Sequence, residues 1–384
     1  MPYKSPKLCL LIKSSTLEDE TRRQKEIKSL TDAGYSVRLV SWNRKGKNYS
    51  VSYSVPNKIY DEVILNFPAP PDVRVILYLP IWWIFLLYYL TFNTWDLAHV
   101  INFDSLIPSV FSCKLKNKPI IYEILDTYED HLILPLWFRE IVIAGDKLLM
   151  RMVDSIILVD EMQIDELNGI PNDNIHVIYD SPVDSLADFK FEKPENSKFI
   201  VFYAGWFAKA RRLNLNKLFQ AIVEVDNIEV IIAGYGDTEE IEHAMALTPD
   251  KIRFIGKIPH TEVLKRSYES DLLIVLRDPQ VLENKYICGS KLFEAMMCAT
   301  PLLVNNGTST AEKVQKESCG LAVDANNVEE IREKIIYLKN NPSICKQLGN
   351  NGRIAYQSKY NWKIMEKRLL ELYNTLVKKT ENTE

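Results

Sequence analysis

Histidine is scarce in this chain, with five copies in 384 residues, and glycine is thin at 13. Cysteine occurs six times but never at C-x-x-C spacing: Cys9, Cys113, Cys288, Cys298, Cys319 and Cys345 sit singly in apolar runs or beside turns. That usage offers neither a disulfide frame nor a zinc site, and it fits a reduced, cytoplasmic protein with buried thiols. His131, His176, His243 and His260 lack metal-ligand spacing and read as surface or strand-end residues. Basic charge is not in excess. The net charge is −4, with both signs mixed along the chain, which argues against the basic face of a nucleic-acid binder. A P-loop, a complete dinucleotide fingerprint and a Ser-His-Asp elbow are missing. No D-x-D occurs either, so a divalent metal is not implied. The opening run MPYKSPKLCLLIKSS is too short in apolar residues for a signal peptide and reads as a first strand, so secretion is not expected.

What is present is enough apolar residue, 47%, for two cores, and a length that exceeds one typical domain. One uncharged run, Val75 to Phe92 (VILYLPIWWIFLLYYLTF), is dense in Trp and Tyr. It is slightly short of the ~20 residues of a membrane span and holds Pro80. Three readings stay open for it: a buried helix, a face leaning on a bilayer, or a span.

Elsewhere the rhythm is strand, loop, helix. Leu8 to Ile12, Val37 to Trp42, Leu97 to Ile101, Ile120 to Glu123, Ile156 to Val159 and His176 to Tyr179 are short apolar strands, with a helix over Glu20 to Ala33 that stops at Gly34. The polar stretch Ser181 to Lys198 reads as a linker. The rhythm restarts at Phe199 to Ala204, Val230 to Ala233, Ile252 to Ile255, Leu272 to Leu276, Leu302 to Val304 and Leu321 to Val323. Such alternation predicts two doubly wound parallel-sheet α/β domains. We place them at 1–185 and 186–360, with a final helix in 361–384 that packs back on the first.

Three segments carry candidate chemistry. Gly205 ends a strand and is followed by Arg211 and Arg212, which could hold a diphosphate, although a solvated basic turn reads the same way. Ile231 to Asp237 (IIAGYGD) is a strand ending in G-x-G at Gly234 and Gly236; Glu239 stands where a dinucleotide fingerprint needs its last glycine. Cys288 to Met297 (CGSKLFEAMM) places Lys291 and Glu294 three apart on one helical face. A lysine beside a helix N-terminus suits phosphate, and a carboxylate suits ribose hydroxyls.

Taken in order, Gly205 with its basic residues, I-I-A-G-Y-G, I-R-F-I-G-K-I-P and S-K-L-F-E-A-M-M-C-A-T-P-L-L-V resemble the retaining family 4 glycosyltransferases. In the first domain, Glu20 to Glu26, Ala33 to Val37, Trp95 to Val100, Ile121 to Asp126 and Tyr179 to Pro182 resemble that family's motifs as well. The resemblance implies a GT-B fold: two facing Rossmann-like domains with a deep cleft between them. It implies transfer of a sugar from a UDP- or GDP-linked donor to a glycan or lipid-linked acceptor, with retention and without a metal or other cofactor. Glu294 then matches the glutamate that grips the donor ribose. Ser290, Lys291 and Arg211 or Arg212 match groups near the diphosphate, and Gly205 and Gly236 match the turns beneath. Ile258 falls near the base, and Thr308 in the turn after P-L-L-V. A cytoplasmic protein, peripheral on the membrane through Val75 to Phe92, fits this picture.

Three positions depart from the family pattern, one of them Trp206, which stands where an arginine usually follows the C-domain glycine. The first glutamate of its E-x7-E motif falls at Tyr286, and its active-site histidine at Leu125. Asp126 is the nearest polar group to the latter, with a turn or cap role as its alternative. The departures keep open a protein that binds a sugar nucleotide or a partner without transfer. A sugar-nucleotide epimerase of similar fold would need acidic and histidine catalysts that these motifs do not supply.

Overall fold

The computed structural model describes residues 7–16, 20–46, 50–53, 59–125, 136–186, 197–207 and 212–381. The chain divides into two units, Met1–Ile178 with Met365–Glu384, and Tyr179–Ile364.

The first unit holds an eight-stranded sheet. Its strands are β1 (Leu8–Lys13), β2 (Ser36–Asn43), β3 (Ser50–Tyr53), β4 (Asp61–Asn66), β5 (Leu97–Ile101), β6 (Ile120–Ile124), β7 (Ser155–Leu158) and β8 (Ile175–Val177), in the order β3-β4-β2-β1-β5-β6-β7-β8. Only β3 pairs antiparallel. The nearly continuous apolar runs of β1, β5 and β6, broken only by His99 in β5 and Glu123 in β6, follow from burial on both sheet faces. On one face Leu10, Ile12, Trp42, Val100 and Tyr122 form a core with helices α2 (Leu79–Phe92) and α3 (Leu106–Lys116).

Helix α2 begins after a 3-10 turn, Val73–Tyr78, whose N-cap Asp72 accepts from the Arg74 backbone at 3.0 Å. Pro80 lies in the first turn, where a missing N–H does no harm, so it does not break the apolar run. Leu79, Trp82, Leu86, Tyr89 and Leu90 are buried. Trp82 stacks on Trp42 at 6.0 Å and donates to Ser105 Oγ at 3.1 Å. Residues 73–92 are long and apolar enough to cross a membrane by length and composition. With one side of α2 forming the sheet's core, however, it is a core helix there, and its opposite side is exposed.

The other sheet face is partly ionic. His99 of β5 and Glu123 of β6 are fully buried against Arg22, Arg23 and Glu26 of helix α1 (Thr21–Asp32). Arg22 Nη2 lies 2.6 Å from Glu123, and Arg23 pairs with both Glu26 and Glu123. Burial alone would raise the Glu123 carboxyl, but the Arg23 and Arg22 guanidiniums hold it well below the usual carboxylate range. Glu26, His99 and Glu123 offer a metal-like ligand set, yet the two guanidiniums already supply the positive charge there. The C-terminal helix Trp362–Glu381 buries Met365, Leu369, Leu372, Tyr373 and Leu376, and Tyr373 OH lies 2.8 Å from His99 Nδ1.

The second unit holds a six-stranded parallel sheet: β9 (Phe199–Phe207), β10 (Ile228–Gly236), β11 (Ile252–Phe254), β12 (Leu272–Val275), β13 (Leu302–Asn305) and β14 (Gly320–Val323), ordered β11-β10-β9-β12-β13-β14. Gly205 does not end its strand as expected. β9 continues to Phe207 because β10 is equally long and pairs with it, Gly205 opposite Gly234 and Phe207 opposite Gly236. Gly234 and Gly236 have φ of +142° and +120°, and a Cβ on Gly234 would stand 1.9 Å from the Gly205 carbonyl oxygen. Only glycine allows that approach. Of the polar stretch read as a linker, residues 187–196 lie outside the described residues. Its start is fastened within the second unit: Arg353 holds Asp184 at 2.8 Å and Tyr356 OH donates to the Pro182 carbonyl at 2.8 Å.

Candidate functional site

In the second unit the chain leaves β9 for β10 on one side and returns at β12 on the other. This is the topological switch point, where parallel sheets bind ligands beyond the carboxyl ends of their strands. The helix Ser290–Met297 belongs to this region. Its apolar residues Leu292, Phe293, Ala295, Met296 and Met297 are buried, Phe293 against Tyr179 and Tyr360 with ring centroids at 5.2 and 5.4 Å. That anchoring fixes the face carrying Ser290, Lys291 and Glu294. Gly289 is the N-cap and no side chain caps it, so the first-turn N–H groups suit an anion.

Lys291 lies along Gly205. A methyl group at Gly205 would stand 3.2 Å from Lys291 Cε and 2.8 Å from the Tyr203 hydroxyl oxygen, which explains glycine at that position better than a turn does. The Lys291 ammonium is 5.8 Å from the centroid of the Tyr203 ring. One turn along, Glu294 is 8% exposed and its Oε1 lies 3.1 Å from His260 Nε2. Burial would raise the Glu294 carboxyl. The His260 hydrogen bond and the Lys291 charge outweigh it, with Ser290 adding a further hydrogen bond, and hold it below the ordinary range. His260 opens the helix His260–Glu269 and is half-exposed. Ile258 is half-buried in the loop just before it. One cation, one helix N-terminus and one ionised carboxylate thus converge on the carboxyl side of β9. The cation and amides suit phosphate, and the carboxylate keeps acceptor sites for hydroxyl donors.

Other expected site residues go elsewhere. Arg212 is exposed, with Nη1 3.5 Å from Asp278 and 3.3 Å from Gln280, and it lines a cavity of about 480 Å³ with Phe207, Asp237, Glu239 and Glu240. Its charged lining is mainly acidic, with Asp237, Glu239, Glu240 and Asp278 against Arg212, which does not favour a diphosphate. Gly236 packs on the Phe207 carbonyl, where a Cβ would come within 2.5 Å. Thr308 is the N-cap of the helix Ser309–Lys316. Its hydroxyl accepts from the Ala311 amide at 3.1 Å and donates to the Asn305 carbonyl at 2.8 Å, so both roles are structural. Arg211 and Asp126 lie outside the described residues. Leu125 donates its backbone N–H to Asn102 at 3.0 Å, and Tyr286 closes a short helix with Lys285 over its ring at 4.7 Å.

His260 is a surface residue, as read, but its ring also meets Glu294. Its partnership with Glu294 spans 34 residues, and no local spacing announces it. Arg277 was missed too. It is 8% exposed just after β12, with its guanidinium 3.1 Å from the Cβ position of Gly289. A cation directly behind an apolar strand was the available signal. In the first unit, the matching switch point lies between β1 and β5. There Ser14 contacts Asp104, and Arg44 donates to the Ser14 hydroxyl at 2.8 Å and to its carbonyl at 2.9 Å.

Residues 184–355 match the family model described as "Glycosyl transferases group 1". A capsular polysaccharide biosynthesis glycosyltransferase, CapM of Staphylococcus aureus, is 25% identical over 197 residues, 50% of each chain. The chain spans about half the length of the curated relatives it matches. Among solved structures, sucrose-phosphate synthase from Thermosynechococcus elongatus superposes with a TM-score of 0.73 at 17% identity, covering 96% of this chain and 99% of that one. The Anabaena protein HepE in complex with UDP gives 0.69 at 12%, covering 96% and 100%. The fold is GT-B, and the resemblance to glycosyltransferases is borne out.

Proposed function

We propose that this chain, whose residues 184–355 belong to the glycosyl transferases group 1 on a GT-B fold, transfers a sugar from a nucleoside diphosphate-sugar to a hydroxyl acceptor. The observation that carries the proposal is the buried, ionised Glu294 one turn from Lys291 at the switch point of the second sheet. Glu294 accepts the two ribose hydroxyls of the donor, with His260 holding one of its oxygens. Lys291, Ser290 and the N-terminus of their helix receive the diphosphate, and Ile258 lies on the side of the base. Charge develops on the diphosphate as the glycosidic bond breaks, and a fixed ammonium and helix terminus stabilise it electrostatically. Arg211 and Arg212 follow the same strand in the sequence and are the further candidates for the diphosphate, Arg212 the weaker for the acidic residues around it.

Transfer is read as retaining and metal-independent. The acceptor is read as a glycan or lipid-linked sugar on the cytoplasmic side of a membrane, with the apolar run Val75 to Phe92 in peripheral contact. The capsular polysaccharide relative supports an acceptor of that class; the UDP bound to HepE speaks for a uridine donor and the GDP-mannose-dependent relative from Corynebacterium glutamicum for a guanosine one, so both donors stand.

A second reading, donor binding without transfer, is favoured by Tyr286 and Leu125, which cannot do the proton chemistry that the family places there. Incubating the protein with UDP- and GDP-linked sugars and lipid-linked or free glycan acceptors separates the two readings. Transfer, with the anomeric configuration read by NMR, supports the first. Tight donor binding with no product from any acceptor supports the second.

A further inference from the structure

We propose that one face of the first unit, built by α2, α3 and the helix Leu136–Met150 (α4), docks on the surface of a bilayer containing anionic lipid. This deepens the peripheral contact proposed above, and it stands whether or not the chain transfers sugar. The two sides of α2 are both apolar. One is the core described above. The other shows Leu77, Ile84, Tyr88 and Phe92 to solvent, a stripe at helical spacing running from the preceding turn to the helix end. Ile84 is 68% and Phe92 73% exposed. A core helix of a soluble unit ordinarily carries polar residues on that side.

The stripe continues onto the neighbour. Trp83 Nε1 donates to the Asp104 carbonyl at 2.7 Å near the start of α3, and Lys116 Nζ donates to the Asn93 carbonyl at 2.7 Å at the far end. The two helices therefore run side by side in the same direction. Helix α3 exposes Phe111 and Leu115, by 56% and 86%, in the half that lies level with the Tyr88 and Phe92 end of α2. Helix α3 packs in turn on α4, whose Trp137, Ile141 and Leu148 form a third exposed stripe. Exposed apolar stripes on three successively packed helices point to an interaction site rather than scattered exposure.

Its occupant follows from charge and ring chemistry. Neither α2 nor α3 contains an acidic residue, and Lys114, Lys116 and Lys118 cluster where the two apolar stripes end; α4 is mixed, with Arg139 and Lys147 beside Glu140 and Asp146, so the basic character lies on the α2 and α3 side. Exposed Tyr, Phe and Trp beside lysines suit the headgroup layer of a bilayer, with rings below and ammonium groups at the phosphates. A second copy is the competing occupant, and the oligomeric state tests it. A span is ruled out by the buried side of α2, so the mode is lying on the surface.

The test is co-sedimentation of the full chain with vesicles of phosphatidylcholine alone and of phosphatidylcholine mixed with phosphatidylglycerol. We expect binding to the mixed vesicles that weakens as salt rises, and at least about tenfold weaker binding for Ile84→Glu with Phe92→Glu. Lys114→Glu should reduce binding to anionic vesicles more than to neutral ones. Each substituted residue is exposed, and circular dichroism melting checks that the variants fold. Nucleotide binding measured on the same variants should be unchanged, which separates failure of docking from failure of the donor site. No vesicle binding, binding that all the variants retain, or a dimer in sedimentation equilibrium that the same substitutions dissolve would overturn the proposal.

Discussion

His260 Nε2 stands 3.1 Å from Oε1 of Glu294, joining the first residue of one helix to the buried face of another across the C-terminal sheet's switch point. That hydrogen bond helps keep the Glu294 carboxyl ionised despite its burial.

The bond gives an acid-side prediction. The folded Glu294 carboxyl lies below its ordinary value of 4.5, so its contribution to stability is present above that value and is lost as pH falls through the folded pKa. His260→Ala removes one cause of the depression and moves that loss to higher pH. Melting temperature followed from neutral pH into acid should fall at higher pH in the variant. Glu294→Gln should abolish this part of the pH dependence.

Gly205 should tolerate no side chain. In Gly205→Ala the methyl group meets the Tyr203 hydroxyl at 2.8 Å and Lys291 Cε at 3.2 Å. We expect the ammonium to be displaced and donor affinity to fall while the secondary structure survives. Adding Tyr203→Phe removes the closer clash and should recover part of the affinity. Calorimetry on the single and double variants checks it, and equal affinities for the two would argue against the steric account.

The ionic cluster of the first unit should behave as an all-or-none element. Glu123→Gln leaves Arg22 and Arg23 buried with too little negative charge, at a cost of about 3–5 kcal/mol. Tyr373→Phe keeps the ring and loses only the hydrogen bond to His99, about 1 kcal/mol, or a few degrees of melting temperature. Thermal unfolding followed by tryptophan fluorescence measures both losses, and neither variant should change nucleotide affinity.

Much of the fold was legible because parallel strands buried on both faces leave uninterrupted apolar runs, as in Leu8 to Ile12 and Ile231 to Ala233. Strand ends were less so. Phe199 to Ala204 continues to Phe207 because β10 supplies a partner, which no local pattern of β9 reveals. The Lys291–Glu294 pair was visible from helical spacing. Its partner His260 and the packing reason for Gly205 depend on contacts between elements far apart in sequence, and local spacing is silent about those. Thr308 shows the converse: its place after an apolar strand suggested a ligand contact, while its hydroxyl is occupied in capping a helix. For α2, composition left three readings open, since only packing distinguishes its core side from its exposed side.

The most direct test of the donor assignment is calorimetric titration of UDP- and GDP-sugars into the full chain, beside Glu294→Ala, Lys291→Ala and Arg212→Ala. Charge-assisted hydrogen bonds contribute about 1.5–3 kcal/mol, so either of the first two variants should lose about 10- to 150-fold in affinity for the preferred donor. Arg212→Ala should lose less, since Asp278 and Gln280 already hold that side chain. Affinity unchanged in both Glu294→Ala and Lys291→Ala would contradict the account and place the donor elsewhere on the chain.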